Sequence, residues 1–289
     1  DECYNSIPLA QADIDPAVDV NSLDQSLGLK SWDVTQLVQD WAANPDSNNG
    51  LLLNSDVVAR PNSYRYFASK EASDGSQRPR LEITYSVPEK IATFGNTPDA
   101  DYPGTIEDTF INLNSEVNVN SGQLNTYTWP ENMVANAILL KVDLSQLPAG
   151  AQIQTATLKL YQTAAGGDAT YDVSVHKVLG VNPDLSQANG YSFDGMSDWT
   201  ANDQCYNSIP LAQADIDTAA DVNSLDQTLE YKQWQVTALV QDWVSGASQN
   251  NGLLLNSDDV ASSDSYRFFA SGEATDSSQR PRLEITYTK

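Results

Sequence analysis

The stretch CYNSIPLAQADID occupies residues 3–15 and returns unchanged at residues 205–217. The match continues without insertion to Tyr85 in the first copy and to Tyr287 in the second, with roughly three positions in four identical. The copies lie 202 positions apart, which is too long for a solenoid unit and is the length of a whole domain. The sequence therefore predicts a tandem-repeat protein.

The two copies are not of equal extent in the chain, because residues 1–87 match only the second part of residues 88–289. We call residues 88–202 the front half, residues 203–289 the second back half, and residues 1–87 the first back half. The prediction is that 88–289 form one complete module and 1–87 the C-terminal half of another. A half-module leaves core faces and strand edges uncovered. We therefore expect its front half to lie upstream in the full protein or to come from a neighbouring chain.

Composition excludes some classes of partner. Apolar residues make up 40% of the chain, a value typical of globular proteins. Asp and Glu number 39 against 15 Lys and Arg, giving a net charge of −24. A field of that sign repels phosphate backbones, so nucleic acid is not an expected partner. No stretch approaches the roughly 20 apolar residues of a membrane span, so direct membrane insertion is not expected.

Alternating apolar and polar residues predict β-strands in the complete module. In residues 153–161, Ala156, Leu158 and Leu160 fall on one side, and Thr155, Thr157 and Lys159 fall on the other. Further strands are predicted at 135–142, 171–178, 64–68 and 80–85.

One segment shows helical spacing instead. Val236, Leu239, Val240 and Trp243 recur at the period of a helix, and Thr237 is the predicted N-cap. The first back half keeps the same pattern in residues 32–41. Many short strands, frequent turn residues and one brief helix predict an all-β fold: an antiparallel β-sandwich of jelly-roll type with one short helix per module, tandemly repeated.

Four motifs stand in order along the complete module: DLSQLPAGA at 143–151, ATLKLY at 156–161, NGLLL at 251–255 and RPRLEITY at 280–287. In this order they resemble the DNRLRE domain family, and residues 34–85 show the back-half motifs again. The sequence departs from the family at residues 205–207, where Cys-Tyr-Asn replaces a run similar to Thr-Trp-Asn. The resemblance implies a secreted or cell-surface β-sandwich, often repeated in large microbial proteins. Some relatives are carbohydrate-binding modules on alginate-degrading enzymes.

Catalytic signals are weak. A hydrolytic triad needs a base beside a nucleophile, and the only histidine is His176, next to Ser174 on a predicted strand. We interpret it as a surface histidine. Carboxylates are plentiful but none lies in a glycosidase motif. The chain is therefore not expected to be an enzyme, and no cofactor is required.

The best metal candidate is a run of acidic side chains that occurs in both copies. Hard oxygen ligands at alternating loop positions suit Ca²⁺, although this run lacks the central glycine and final glutamate of an EF-hand loop. The alternative is a solvated acidic loop. The candidate ligands are Asp13, Asp15, Asp19, Asn21, Asp24, Asp215, Asp217, Asp221, Asn223 and Asp226.

Two further sets of candidates occur once per copy. Cys3 and Cys205 are either buried thiols or cross-links between copies. Tyr64 with Arg65, and Tyr266 with Arg267, are candidate glycan-binding residues, although half of the residues in an alternating strand face the core.

The leading hypothesis is a non-catalytic extracellular structural protein, such as a surface stalk, an adhesin or a filament subunit. Its expected partners are other copies of itself, in tandem or completing one another head to tail by strand complementation. The alternative hypothesis is a carbohydrate-binding module for an extracellular polysaccharide such as alginate.

Overall fold

The computed structural model describes residues 7–55, 63–130, 134–202, 206–257 and 261–289. Cys3 and Cys205 lie outside these residues, so the predictions for their thiols do too. The chain divides into two compact units, Asp1–Thr84 and Tyr85–Lys289. The smaller unit contains helix α1 (Thr35–Ala43), and the larger unit contains helix α2 (Thr237–Ser245).

The larger unit consists mainly of strands, which confirms the predicted all-β class. Strands are found at each of the three stretches predicted in the front half, and the predicted alternation holds in the longest of them, where Ala156, Leu158 and Leu160 are fully buried. The strands are β1 (Lys90–Gly95), β2 (Tyr102–Pro103), β3 (Ile106–Asn112), β4 (Gln123–Thr128), β5 (Val134–Val142), β6 (Gln152–Gly166), β7 (Tyr171–Lys177), β8 (Asp221–Leu225), β9 (Tyr231–Gln235), β10 (Leu253–Ser257), β11 (Ser265–Ala270) and β12 (Arg282–Thr288).

Strand β6 joins two regions of the sheet. Its first part pairs with β12 on one edge and β9 on the other, and β12 continues through β1 to β2. Its last part, Gln162–Gly166, pairs with β11, and the order continues through β4, β5, β10 and β7 to β8, with β3 also on β5. All neighbours are antiparallel except β1 and β2.

Every back-half strand pairs only with front-half strands. Strand β12 lies between β1 and β6, β11 between β6 and β4, and β10 between β5 and β7, while β8 pairs with β7 and β9 with β6. In the described part of the chain, no ladder joins two back-half strands. A back half without a front half therefore has no partner for any of its strands.

This topology accounts for a wrong prediction in the smaller unit. Residues 64–68 and 80–85 were expected to be strands, but no β-strand occurs among described residues 7–55 and 63–84. Their counterparts, β11 and β12, pair only with β1, β4 and β6 of the front half. The local sequence favours an extended chain, but a strand requires the ladder partner.

Two clusters of buried side chains lie on opposite faces of the sheet region that contains β5, β10 and β7. Leu253 and Leu255 join Phe94, Leu158 and other residues from both sheet regions in the main cluster. Leu254 points the other way and packs with residues such as Trp199 in a second cluster. Burial on both faces explains why this strand is a continuous apolar run rather than an alternating one.

Helix α2 packs Leu239, Val240 and Trp243 inward, as its spacing predicts. The predicted N-cap is wrong, because Val236 occupies that position without a side-chain bond and Thr237 is the first helical residue. The Thr237 hydroxyl instead accepts a hydrogen bond from the Ala156 backbone N–H at 3.0 Å. Helix α1 of the smaller unit likewise begins at Thr35, with Val34 at the N-cap and no side-chain bond. No helix in the described residues is long and apolar enough to cross a membrane.

Candidate interaction surface

The second back half shows which of its side chains a complete module buries. With one exception, every buried residue in the described part of 209–287 has the identical residue 202 positions earlier. Differences between the copies fall instead at exposed or half-buried positions, such as Glu230 in place of Gly28 and Gln235 in place of Asp33. The first back half therefore keeps the core side chains of a complete module.

In the first back half, these same side chains are exposed or half-buried, and none of described residues 7–55 and 63–84 is buried. Leu53 is 62% exposed whereas its counterpart Leu255 is 0% exposed. Six of these apolar side chains, each 42–62% exposed, are called together the open face. The open face consists of Leu51, Leu52, Leu53, Phe67, Leu81 and Ile83.

The first back half also keeps internal contacts of the complete module. The ring centroids of Trp32 and Phe67 are 5.9 Å apart at an interplanar angle of 68°. Those of Trp234 and Phe269 are 6.1 Å apart at 71°. The edge-to-face geometry is thus the same whether the rings are buried or partly exposed.

A hydrogen-bonded pair and an unusual turn are duplicated as well. Gln11 and Asn54 exchange amide hydrogen bonds of 3.3 and 2.7 Å, as Gln213 and Asn256 do at 3.1 and 2.8 Å. Leu9 and Ala10 have φ angles of 45° and 61°, against 46° and 62° for Leu211 and Ala212. Non-glycine residues rarely adopt the left-handed region, so the shared turn indicates that both copies have the same local fold.

Arginine side chains show which contacts the first back half lacks. Arg65 donates to the carbonyl groups of Leu23 and Asp24, both in its own half. Arg267 makes the equivalent bonds and also donates to the carbonyls of Gly166 and Asp168 in the front half. The bonds that Arg267 makes and Arg65 lacks are thus those to the front half, including residues 166 and 168.

Arg267 was predicted as a glycan-binding residue, and its burial corrects that prediction. It is 0% exposed, its guanidinium lies 4.8 Å from the Tyr171 ring centroid, and its donors point to carbonyl groups. Tyr266 faces the other side of β11, half-buried and stacked on Tyr127 with ring centroids 5.8 Å apart. Tyr64, its counterpart, is 70% exposed. The tyrosines therefore remain candidates for stacking on a glycan.

The predicted calcium ligands of the second back half are spread over separate local interactions. Asp215 is buried and accepts bonds from the Thr200 N–H and hydroxyl, both at 2.7 Å. Asp221 accepts a bond from the Gln235 N–H at 2.7 Å. Asn223 donates to the Gln233 carbonyl, and Asp217 lies 3.6 Å from the Lys177 ammonium.

Asp226 belongs to a charged cluster around the buried Lys232. Its carboxylate accepts a hydrogen bond from the Lys232 ammonium at 2.6 Å, which holds the pKa of Asp226 well below its usual range. Thr228 and Glu230 also contact this ammonium. The Asp226 and Glu230 carboxylates are thus already paired with a cation of the protein, the Lys232 ammonium.

The first back half repeats this arrangement in an exposed setting. Asp24 contacts Lys30 at 2.9 Å, Asp19 accepts a bond from the Asp33 N–H, and Asn21 donates to a carbonyl group. Asp13 and Asp15 are exposed. Within the described residues, no group of three or more His, Cys, Asp or Glu side chains could hold a metal ion. The calcium site stays a prediction.

His176 lies beside Ser174, as the strand pattern indicated. Its Nδ1 is 2.8 Å from the Asp217 carbonyl oxygen, which can only accept, so Nδ1 carries the proton. Its Nε2 then accepts from the Ser174 hydroxyl at 2.7 Å. Burial lowers the pKa of His176. A serine and a base thus meet, but on the regular surface of β7, where they are same-face neighbours along one strand.

The exception among the buried positions is Gly272, which Lys70 replaces in the first back half. The Gly272 N–H donates to Asp108 Oδ2 at 2.8 Å, and Oδ1 of Asp108 is buried without a hydrogen-bond partner among the described residues. Burial raises the pKa of Asp108 to about 7, and the nearby charge of Glu273 adds to the effect. Comparing the two copies could have revealed the Lys70 substitution, but Asp108 lies in the half that occurs once.

No protein-family model matches this chain, and no curated protein matches it either. The resemblance to the DNRLRE domain family therefore stays a prediction.

Proposed function

We propose that this is a non-catalytic extracellular structural repeat protein, a stalk, adhesin or filament subunit built from tandem β-sandwich modules of jelly-roll type. In this proposal, a front half from a neighbouring module completes the first back half. One observation carries it: the core side chains that are buried in 209–287 are exposed or half-buried at the matching positions in described residues 7–55 and 63–84. A sequence that keeps a core it does not bury is adapted to a partner that buries it.

The energetics support completion. Full burial of a Leu, Ile or Phe side chain contributes about 1.5–3 kcal/mol. The six side chains of the open face are each about half exposed. Covering them thus contributes on the order of 5–10 kcal/mol before the cost of ordering the partner. Preorganisation of the first back half reduces that cost on its own side.

Completion differs from the addition of a single donor strand. The five back-half strands of the module occupy separate places among front-half strands. A single strand added at one edge would leave most of the open face uncovered. The partner in this proposal is therefore a whole front half that folds together with residues 7–84.

Hydrogen exchange on the full chain tests this proposal. In dilute monomer, amides of Leu51–Leu53 exchange rapidly, whereas those of Leu253–Leu255 are protected by two ladders. In native assemblies, both stretches become protected. Leu53→Asp provides the control, because it blocks protection at 51–53 and leaves 253–255 unchanged. Rapid exchange at 51–53 in native assemblies would contradict completion.

Carbohydrate binding is the second candidate, favoured by the stacked pair of half-buried rings that Tyr127 and Tyr266 form on neighbouring strands β4 and β11. Aromatic faces of this kind bind sugar rings by stacking. The net charge of −24 opposes an anionic glycan such as alginate unless Ca²⁺ bridges the charges. Affinity electrophoresis against alginate and neutral polysaccharides tests this function. Retardation that Tyr266→Ala abolishes would favour it over the structural role.

A further inference from the structure

The substitution of Gly272 by Lys70 bears on which front half fits the first back half, and this inference rests on the proposed function. Gly272 follows β11 and is buried against the front half. A Cβ atom built on it would lie 2.5 Å from Asn96 Nδ2 and 3.2 Å from Asp108 Oδ2. The first distance is shorter than any real contact of a Cβ atom, so Asn96 would have to move.

Movement of Asn96 has a defined cost. Its Nδ2 donates to the Ile106 carbonyl at 3.0 Å, a bond that joins the end of β1 to the start of β3. Rotating the amide away from residue 272 breaks this bond and leaves a buried acceptor without its donor. A front half identical to 88–202 thus fits glycine at this position better than lysine.

The charge of Lys70 has a natural counterpart at the same place. In the complete module, the Asp108 carboxylate faces Gly272, and its Oδ1 has no hydrogen-bond partner among the described residues. Glu273 adds a negative charge in its vicinity, and no ion pair involving Asp108 occurs among the described residues. A lysine at position 272 would supply the missing cation, provided that its Cβ had room.

We propose that Lys70 selects its front half, accepting one that has a small residue at the position of Asn96 and a carboxylate at the position of Asp108. The preferred partner is thus a related but different front half, and a second copy of this chain is a poorer one. The Lys70 ammonium pairs with the partner's carboxylate in the completed module. Neighbouring modules that differ at these positions would assemble in a fixed order.

The geometry is tested first within the complete module. Gly272→Lys lowers the thermal stability of the full chain, and adding Asn96→Ala restores part of the loss, although Asn96→Ala alone is destabilising. Gly122→Lys is the matched control, because Gly122 is exposed and its nearest neighbour would be 3.8 Å from the new Cβ. If the effects of Gly272→Lys and Asn96→Ala simply add, the two sites are not coupled and the inference fails.

The partner preference is tested by fusing an added copy of residues 88–202 ahead of the full chain. Hydrogen exchange at Leu51–Leu53 measures completion, and residues 253–255 of the same molecule serve as the internal control. An added copy with Asn96→Ala is expected to give protection factors on the order of tenfold higher than the unchanged copy. In the chain with Lys70→Gly, the unchanged copy is expected to become the better one.

The outcomes separate the two proposals. No protection at 51–53 with any added front half overturns the proposed function, and the selection by Lys70 falls with it. Equal protection by both added copies supports completion but overturns the selection. Higher protection with Asn96→Ala, reversed by Lys70→Gly, supports both.

Discussion

The leucines of the repeated NGLLL motif give the sharpest test of the fold. Leu255 is 0% exposed and packs between β5 and β7, opposite Ile138 and Val175, whereas Leu53 is 62% exposed in an identical local sequence. Truncating a fully buried leucine to alanine removes its transfer free energy and leaves a cavity, which together cost about 2–5 kcal/mol. Truncating an exposed leucine changes stability by about 0.5 kcal/mol or less.

Thermal unfolding followed by tryptophan fluorescence measures both variants against the parent chain. For a module of this size, about 3 kcal/mol corresponds to a fall in Tm of roughly 6–12 °C. Leu255→Ala is expected to shift the main transition by that amount, and Leu53→Ala to leave it within error. Because the two substitutions are chemically identical, a difference reports burial alone. Equal losses in the dilute monomer would refute the assignment of an open face.

Three further predictions concern single residues. Arg267→Leu leaves several buried carbonyl groups without donors and is expected to cost about 3–5 kcal/mol in urea unfolding, whereas Arg65→Leu costs little. Burial raises the pKa of Asp108 to about 7, so the folded state favours the protonated acid and stability falls as pH rises from about 4 to 7. Asp108→Asn is expected to make Tm less dependent on pH across that range. If Asp215 and its neighbours bind calcium, EDTA lowers Tm, and an unchanged Tm argues against the site.

Much of the complete module could be predicted from its sequence. The alternation in β6 and the helical spacing around Trp243 depend on which face of one element is buried, and such periodicity is visible locally. The repeat itself predicted a half-module. The sequence also shows which residues the two copies share. Only the structure of the second copy shows that nearly all of its buried positions are among them.

Other features could not be predicted because they depend on distant partners. Residues 80–85 have the same strand-forming sequence as β12, yet only the copy that lies between β1 and β6 becomes a strand. Thr237 has the residue type of an N-cap, but its hydroxyl accepts a hydrogen bond from Ala156, which lies 81 positions earlier. The environment of Asp108 arises where β3 meets the loop after β11, residues more than 160 positions apart.

The pairing of the first and last strands of the module determines how it would respond to tension. Lys90 pairs with Tyr287 and Gly95 with Arg282, so the two ends of the module leave the sheet side by side. A force that pulls these ends apart loads the rungs between β1 and β12 one at a time, as in opening a zipper, instead of all together. Phe94 of β1 and Leu283 of β12 belong to the main cluster, so opening these rungs would also uncover an edge of the core, while the part held by β6 and its other neighbours would bear load afterwards. In a stalk, such modules would lengthen in steps under modest force while each kept most of its core.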